Sequence, residues 1–433
     1  MLGLARSVGI IAVIVVTAVV VRQLGFDSIP TVLLASIVAF GAITVTRPKR
    51  ARHRQRAVRF GTTGLGVALL VGLAASTWSY VGYQTAPGSA TTAVRTSDWM
   101  RDHHMNAIVD RLEQTLFSGP APADGRVAAG QLPSLSITHR TSPGHSDSTG
   151  SALMPAPVAD LIDHHLQGEG HWTPSTRRAN GRPVDYATFV RPDPTHTNVV
   201  ASAVWFDPQG TRITYVPGTK QKGTWAWGSG IPTAKRPDLV AAFNSGFKFK
   251  DIPGGYQTEG RTPVPLVDGQ ASLVLHAHGP ADIGSWGSEV KMTSDVISVR
   301  QNLALLVDHG KQDPGLASTE KGLWGKRRWQ NQYTNRSGIG VTSDHALVYV
   351  AGSNLTTRSL ADAFVKLGCV RAMELDIHAT NPTLNFFSLT PGGGRGDVTG
   401  TKLYPAMTSS ADRFLVPDQR DFFAVTVPGP GRG

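Results

Sequence analysis

Ser337-Gly-Ile-Gly-Val-Thr342, Ala346-Leu-Val-Tyr-Val350 and Met373-Glu-Leu-Asp-Ile-His378 decide the fold class of this chain. The first two are apolar, β-branched runs joined by the turn formers Ser343, Asp344 and His345, which reads as a pair of strands. Thr357 is placed to cap a helix in which Leu360, Phe364 and Leu367 share a face, and Gly368 stops it. The third run returns as a strand. Strand pair, helix and strand in this order point to an α+β domain, a mixed β-sheet with packed helices. Working outward, the sequence from about residue 159 consists of short apolar runs broken by Gly, Pro, Asn and Asp, the texture of many strands and few helices.

Period-two alternation sets Met373, Leu375 and Ile377 on one side of the third run and Glu374, Asp376 and His378 on the other. Three chemically able side chains then line one face near a strand end. A solvated face with ion pairs accounts for the same pattern. One His and two carboxylates are also acceptable metal ligands, but this spacing is far less specific than a Cys or His signature, so no metal and no cofactor is assigned.

The chain has 433 residues, and at about 150 per domain this suggests two or three units. Residues 1–60 hold nine Lys or Arg against Asp27 alone, so eight of the eleven net positive charges sit there. The remaining residues are nearly neutral, which removes the argument for a nucleic-acid-binding surface. Cys369 is the single cysteine, which excludes an intrachain disulfide and a Cys-rich zinc site.

Ser7–Val21 and Ser28–Thr46 are uncharged apolar runs, and a third runs from Phe60 to about Tyr83. They are read as three transmembrane α-helices in contact with the lipid bilayer; a cleaved signal peptide or core helices are the competing readings. The basic stretch Arg47–Arg59 between the second and third runs is expected to stay cytoplasmic. The resulting expectation is a multi-pass plasma-membrane protein with an extracytoplasmic C-terminal domain. The domains are then 1–84, a three-span anchor; 85–158, an amphipathic helix over Trp99–Phe117 with Met105, Ile108, Leu112 and Leu116 on its face, followed by a Pro, Gly and Ser-rich linker; and 159–433, the outer domain.

Ala241-Ala-Phe-Asn-Ser-Gly-Phe247, Arg336-Ser-Gly-Ile-Gly-Val-Thr342 and Leu367-Gly-Cys-Val-Arg-Ala-Met-Glu-Leu-Asp376, in that order, resemble the phosphodiester glycosidase family. Ser285-Trp-Gly287, Val299-Arg-Gln-Asn-Leu303 and Arg420-Asp-Phe-Phe423 look like elements of its bacterial members. The resemblance spans about residues 200–427. It departs where such proteins commonly have Asn-Gly-Gly-Phe-Phe and this chain has Asn244-Ser-Gly-Phe-Lys248, and where they have Asp-Gly-Gly-Gly-Ser and this chain has Asp376-Ile-His-Ala-Thr380. The second departure replaces a freely rotating glycine loop by bulkier residues.

The resemblance implies a hydrolase that cleaves the glycosidic bond of a sugar 1-phosphodiester, here expected in an envelope glycan or glycolipid. A catalytically inactive module that binds anionic cell-wall glycopolymer is the alternative. Because the departing phosphate monoester is already a stable anion, little general-acid help is needed. What the site must supply is a carboxylate, stabilisation of an oxocarbenium-like state and cations or N–H donors for phosphate. Asn244, Gly246, Arg336, Glu374 and Asp376 match motif positions. Asp376 is assigned as base or nucleophile, Glu374 as its electrostatic or proton-handling partner and His378 as a third member. Arg336 is the preferred phosphate clamp, with Arg300 and Arg261 as competitors and a plain ion pair as the alternative for each. Asn244 is assigned to sugar hydroxyls, or else to capping its own turn.

Overall fold

The computed structural model describes residues 72–88, 90–116, 122, 125–134, 154–158, 161–317, 322–325, 330–377, 381–394 and 396–428. The chain divides into two compact units, Met1–Tyr83 and Gln84–Gly433.

The three-span reading is corrected. Among the described residues no helix is long and apolar enough to cross a membrane. In the first unit residues 72–83 are helical, and at about 1.5 Å per residue such a stretch falls well short of the roughly 30 Å hydrocarbon thickness. The runs Ser7–Val21 and Ser28–Thr46 and the start of the third lie outside the described residues. With this finding the three-helix anchor, the bilayer contact and the multi-pass plasma-membrane location are not retained.

In the second unit helices α1 (Thr92–Asp102) and α2 (Asn106–Leu116) replace the single amphipathic helix expected over Trp99–Phe117. The break falls at His103–His104, where His104 takes φ 62, a left-handed backbone that ends a helix. Val109 is buried, whereas Ile108 and Leu112 on the expected apolar face are exposed.

The remainder is built from strands. In chain order these are β1 (Asp185–Val190), β2 (Ala201–Phe206), β3 (Arg212–Val216), β4 (Leu239–Asn244), β5 (Tyr256–Thr258), β6 (Ala271–His276), β7 (Val296–Gln301), β8 (Leu305–Asp308), β9 (Thr334–Thr342) and β10 (Leu347–Leu355). Helix α3 (Thr357–Lys366) follows, then β11 (Cys369–Ile377), β12 (Leu384–Leu389) and β13 (Phe422–Thr426). One large sheet runs β1-β2-β10-β9-β11-β8, extended at its edges by Thr173–Pro174 and Lys311–Gln312. A second holds β6, β7 and β5 between the edge strands Asp282–Ser285 and Arg261–Val264, and a third runs β12-β4-β13-β3 beside Val398–Lys402.

The expectation of a mixed sheet with several packed helices is also corrected, because every pairing between these described strands is antiparallel. The β10–α3–β11 crossover does join two strands of like direction. They are not neighbours, however: β9 lies between them, antiparallel to both. Among the described residues α3 is the α-helix packed on this sheet. The architecture is therefore mostly β.

Both faces of the large sheet are covered. On one face Phe206, Ile339, Tyr349 and Leu375 join Phe243, Leu273, Tyr215 and Phe423 of the smaller sheets in one apolar core. On the other, Val348, Val350, Ala372 and Cys369 pack with Leu360 and Phe364 of α3. Thr356, one residue before the expected cap, accepts from Ser359 N and completes a capping box. The glycines of Gly338-Ile-Gly340 answer to α3 as well: a Cβ on either would stand 2.8 Å from the Phe364 ring. The helix settles onto the sheet where the sheet has no side chains.

Candidate active site

Strands β4 and β11 end on the same side of the molecule, and the chain entering β13 meets them there. Asn244 pairs with Phe422 in register, Ser245 N donates to Asp421 O (3.3 Å), and Asp376 N donates to Ser245 O (3.1 Å). Arg336 on β9 lies across from Ile377, and the β9–β11 register shifts between Arg336 and Gly338. That irregularity sits beside Glu374 and Asp376, so ideal alternation does not govern this end of the strand.

Glu374 is wholly enclosed. Its Oε1 accepts from Arg336 Nη1 (2.6 Å), with both side chains 0% exposed, while Oε2 has no hydrogen-bond partner. Burial pushes this carboxyl up to about 7 against the attraction of Arg336, and the nearby Asp376 charge adds to the rise. The Arg336 guanidinium also donates to Leu355 O (2.8 Å) and Gln332 O (3.3 Å). Its donors are thus committed within the protein interior, behind the sheet surface.

Asp376 is buried but not sealed. Oδ1 accepts from Ile377 N (2.9 Å) and Oδ2 from Arg420 Nη2 (2.6 Å), and the Arg420 and Asp376 side chains keep 14% and 9% exposure. Its carboxyl is raised by burial, opposed first by Arg420 and also by Lys248 and Arg413. Arg420 donates to Gly246 O as well (3.0 Å), which ties the loop after β4 to the carboxylate.

The remaining residues proposed from sequence divide by position. Asn244 has both side-chain atoms engaged: Nδ2 donates to Ser245 O (2.9 Å) and Ser337 Oγ (3.0 Å), and Oδ1 accepts from Tyr349 Oη (2.8 Å) and Thr383 N (2.9 Å). It holds the turn. Gly246 is glycine because a Cβ there would stand 2.9 Å from the Asn302 side chain. Arg300 is buried behind the site, donating to Asp421 Oδ2 (2.7 Å) and Phe247 O (2.6 Å) and stacking on Phe249. Arg261 lies on the edge strand of the second sheet, exposed, over the Trp225 ring and paired with Glu259. His378 lies outside the described residues.

Three participants had no role assigned from the sequence. Arg420 is the arginine that meets Asp376; Lys248 pairs with Asp98 of α1; and Asn302 donates to Glu374 O (2.6 Å), fixing the strand that carries both acids. Arg420 and Asn302 belong to motifs already visible, Arg420-Asp-Phe-Phe423 and Val299-Arg-Gln-Asn-Leu303, yet nothing in spacing tells which member turns inward.

Residues 238–376 match the phosphodiester glycosidase family. The chain carries a phosphodiester glycosidase-like hydrolase domain. The match opens just before β4 and closes on Asp376, so the glycosidase-like segment holds both acids, Arg336, Arg300, Asn302 and the Asn244–Lys248 loop. A domain of this kind implies a carbohydrate phosphodiester as substrate. Among solved structures the chain is distantly similar to the catalytic domain of zebrafish N-acetylglucosamine-1-phosphodiester alpha-N-acetylglucosaminidase, at 13% identity and TM-score 0.39, covering 60% of this chain and 88% of that one. A hypothetical protein from Synechocystis is similar at 13% identity and TM-score 0.29, covering 53% and 59%. No curated protein matches.

Proposed function

We propose that this chain hydrolyses a sugar 1-phosphodiester of an envelope glycan or glycolipid, with Asp376 as the reacting carboxylate. The observation that carries the reading is the contrast at the end of β11: Glu374 is fully sealed in, whereas Asp376 keeps a small side-chain exposure, pairs with Arg420 and feels the Lys248 charge. In the proposed step a water oxygen bonds to the anomeric carbon as the bond from that carbon to the phosphate oxygen breaks. Asp376 takes the water proton, and the phosphate monoester leaves as an anion. Glu374 is the electrostatic partner of Asp376: the Asp376 charge helps to hold the Glu374 carboxyl up. Asn244, Gly246 and Arg336 position these groups; no sugar contact is assigned to them.

The test is release of free reducing sugar by the full-length protein from a panel of sugar 1-phosphodiesters. Asp376→Asn is expected to lower the rate by about 10²-fold or more while leaving the substrate dissociation constant within a few-fold, as for loss of a general base. Tight binding without release by the wild-type chain would replace the enzyme by a module for anionic glycopolymer.

A further inference from the structure

At the end of the strands opposite to Asp376, a cavity of about 160 Å³ opens between the start of β3, the ends of β2 and β6, the start of β7 and the turn from β9 to β10. The registers fix this placement. Arg212 lies across from Thr426, whereas Val216, at the other end of β3, lies across from Phe422 beside Asp421. His276 lies across from Val296, whereas Ser272 lies across from Gln301, next to the buried Arg300. The floor of the cavity is apolar: Phe206 and Leu347, partners in register, and Leu275 are all buried. Between Leu275 and His276 the pairing of β6 with β7 shifts, so Ile297 has no partner of its own and stands 45% exposed at the mouth. A bulge of this kind turns side chains out of the regular pleat.

The charged groups around the cavity share one sign. Among the described residues no aspartate or glutamate lines it, whereas Arg212, His276 and His345 do. Arg212 Nη1 donates to Thr211 O (3.0 Å), and among the described residues no carboxylate pairs with this guanidinium. His276 Nδ1 lies 3.2 Å from Asp295 Oδ2, which leaves Nε2 for another partner. His345 is exposed in the turn between β9 and β10.

We propose that this cavity binds a small organic anion, a carboxylate carried on a single ring, with the ring on the apolar floor and the carboxylate at Arg212. An apolar hollow with a few convergent polar groups is the usual form of a small-molecule site. A volume of about 160 Å³ sets the size, since a hollow of this order takes one six-membered ring. The sign of the ligand follows from the lining: a cation would face three basic side chains and no acid, whereas a carboxylate meets the planar guanidinium with two oxygens. The site stands apart from Asp376 and does not depend on the hydrolase reading.

Benzoate is the probe, titrated by calorimetry into the full-length protein at fixed ionic strength, with benzyl alcohol as its neutral counterpart. Benzoate is expected to bind in the millimolar range, the scale for a ligand of this size, and at least about threefold more tightly than benzyl alcohol. Arg212→Gln is expected to weaken benzoate about three- to tenfold and to leave benzyl alcohol within about twofold. Ile297→Glu places an acid at the mouth and should weaken benzoate by at least as much, with circular dichroism confirming that each variant is folded. Asp376→Asn should leave benzoate affinity unchanged, because Asp376 lies at the other end of the strands. No binding at about 10 mM benzoate, equal affinity for the two probes, or wild-type affinity in folded Arg212→Gln overturns the proposal. Weaker or tighter benzoate binding in Asp376→Asn overturns it too, by moving the anion to the end that carries the acids.

Discussion

Two ion pairs stand two residues apart on β11 and have opposite fates. Arg336–Glu374 is closed off at 0% exposure on both sides, with the arginine also bonded to two carbonyls. Arg420–Asp376 keeps a path to solvent and is surrounded by further charges from α1 and the loop after β4. The first lies beneath α3, within a layer that must exclude water; the second lies where β4, β11 and the approach to β13 run out. An arginine facing a carboxylate is thus not one functional unit. The first pair is wholly internal and holds a strand in place, whereas the second keeps a small exposure at the strand end.

The largest expected effect comes from breaking the closed pair. Arg336→Met leaves Glu374 buried without its cation and, at a pH above about 7 where the wild-type carboxyl is ionised, is expected to cost about 3–5 kcal/mol, read as a fall in the urea midpoint. Replacing both partners, Arg336→Met with Glu374→Leu, should recover much of that loss. If the single variant is as stable as the wild type, the pair is not the structural member of the comparison.

Acidity separates the pairs next. Glu374 is held up to about 7 in the folded chain, against 4.5 for an ordinary glutamate. Between those values the folded state binds the extra proton, so the contribution of Glu374 to stability is full below about 4.5 and is lost as pH rises through about 7. The slope from this one group is at most about 1.4 kcal/mol per pH unit. The urea midpoint of Glu374→Gln relative to wild type, followed from pH 4.5 to 7, should therefore improve with rising pH. A constant difference would mean that Glu374 does not titrate in this window.

Much of this region was legible before the structure. The apolar runs, the capped helix and Gly368, at φ 75, announce β9, β10, α3 and β11, and the two acids fall where the last strand ends. Two things were not. Alternation on β11 left a functional face and a solvated face as alternatives, whereas Glu374 is 0% exposed; a strand's pattern does not say what will be laid over it. Nor does spacing distinguish Arg336 from Arg420. The two differ only because one faces the helix layer and the other enters from the chain preceding β13, a meeting produced by long-range pairing. The uncharged runs near the start were read by length and hydropathy alone, and the described residues contain no helix that meets those requirements.

Gly338→Ala probes the closed side without touching a charge. The new methyl group would stand 2.8 Å from both Met373 O and the Phe364 ring, so either the β9–β11 pairing or α3 must shift. Overpacking of this kind costs about 1–3 kcal/mol, less than stranding a buried charge. Its companion Phe364→Leu should return part of that loss, since the ring is the member able to give way. No recovery would place the strain in the strand pairing, at Met373 O.

The smallest effect discriminates most finely on the open side. Lys250 Nζ also reaches an aspartate of α1, Asp102, but its side chain is 45% exposed, against 19% for Lys248. Lys250→Gln is expected to change stability by no more than about 1 kcal/mol, the value of a surface pair, and to leave the rate of sugar release within twofold of wild type. Lys248→Gln differs from it by two positions and removes the same charge. If the two substitutions slow sugar release equally, the strand end acts as a diffuse cationic field; if only Lys248→Gln does so, the effect is local to Asp376, the carboxyl that the Lys248 charge opposes in its rise.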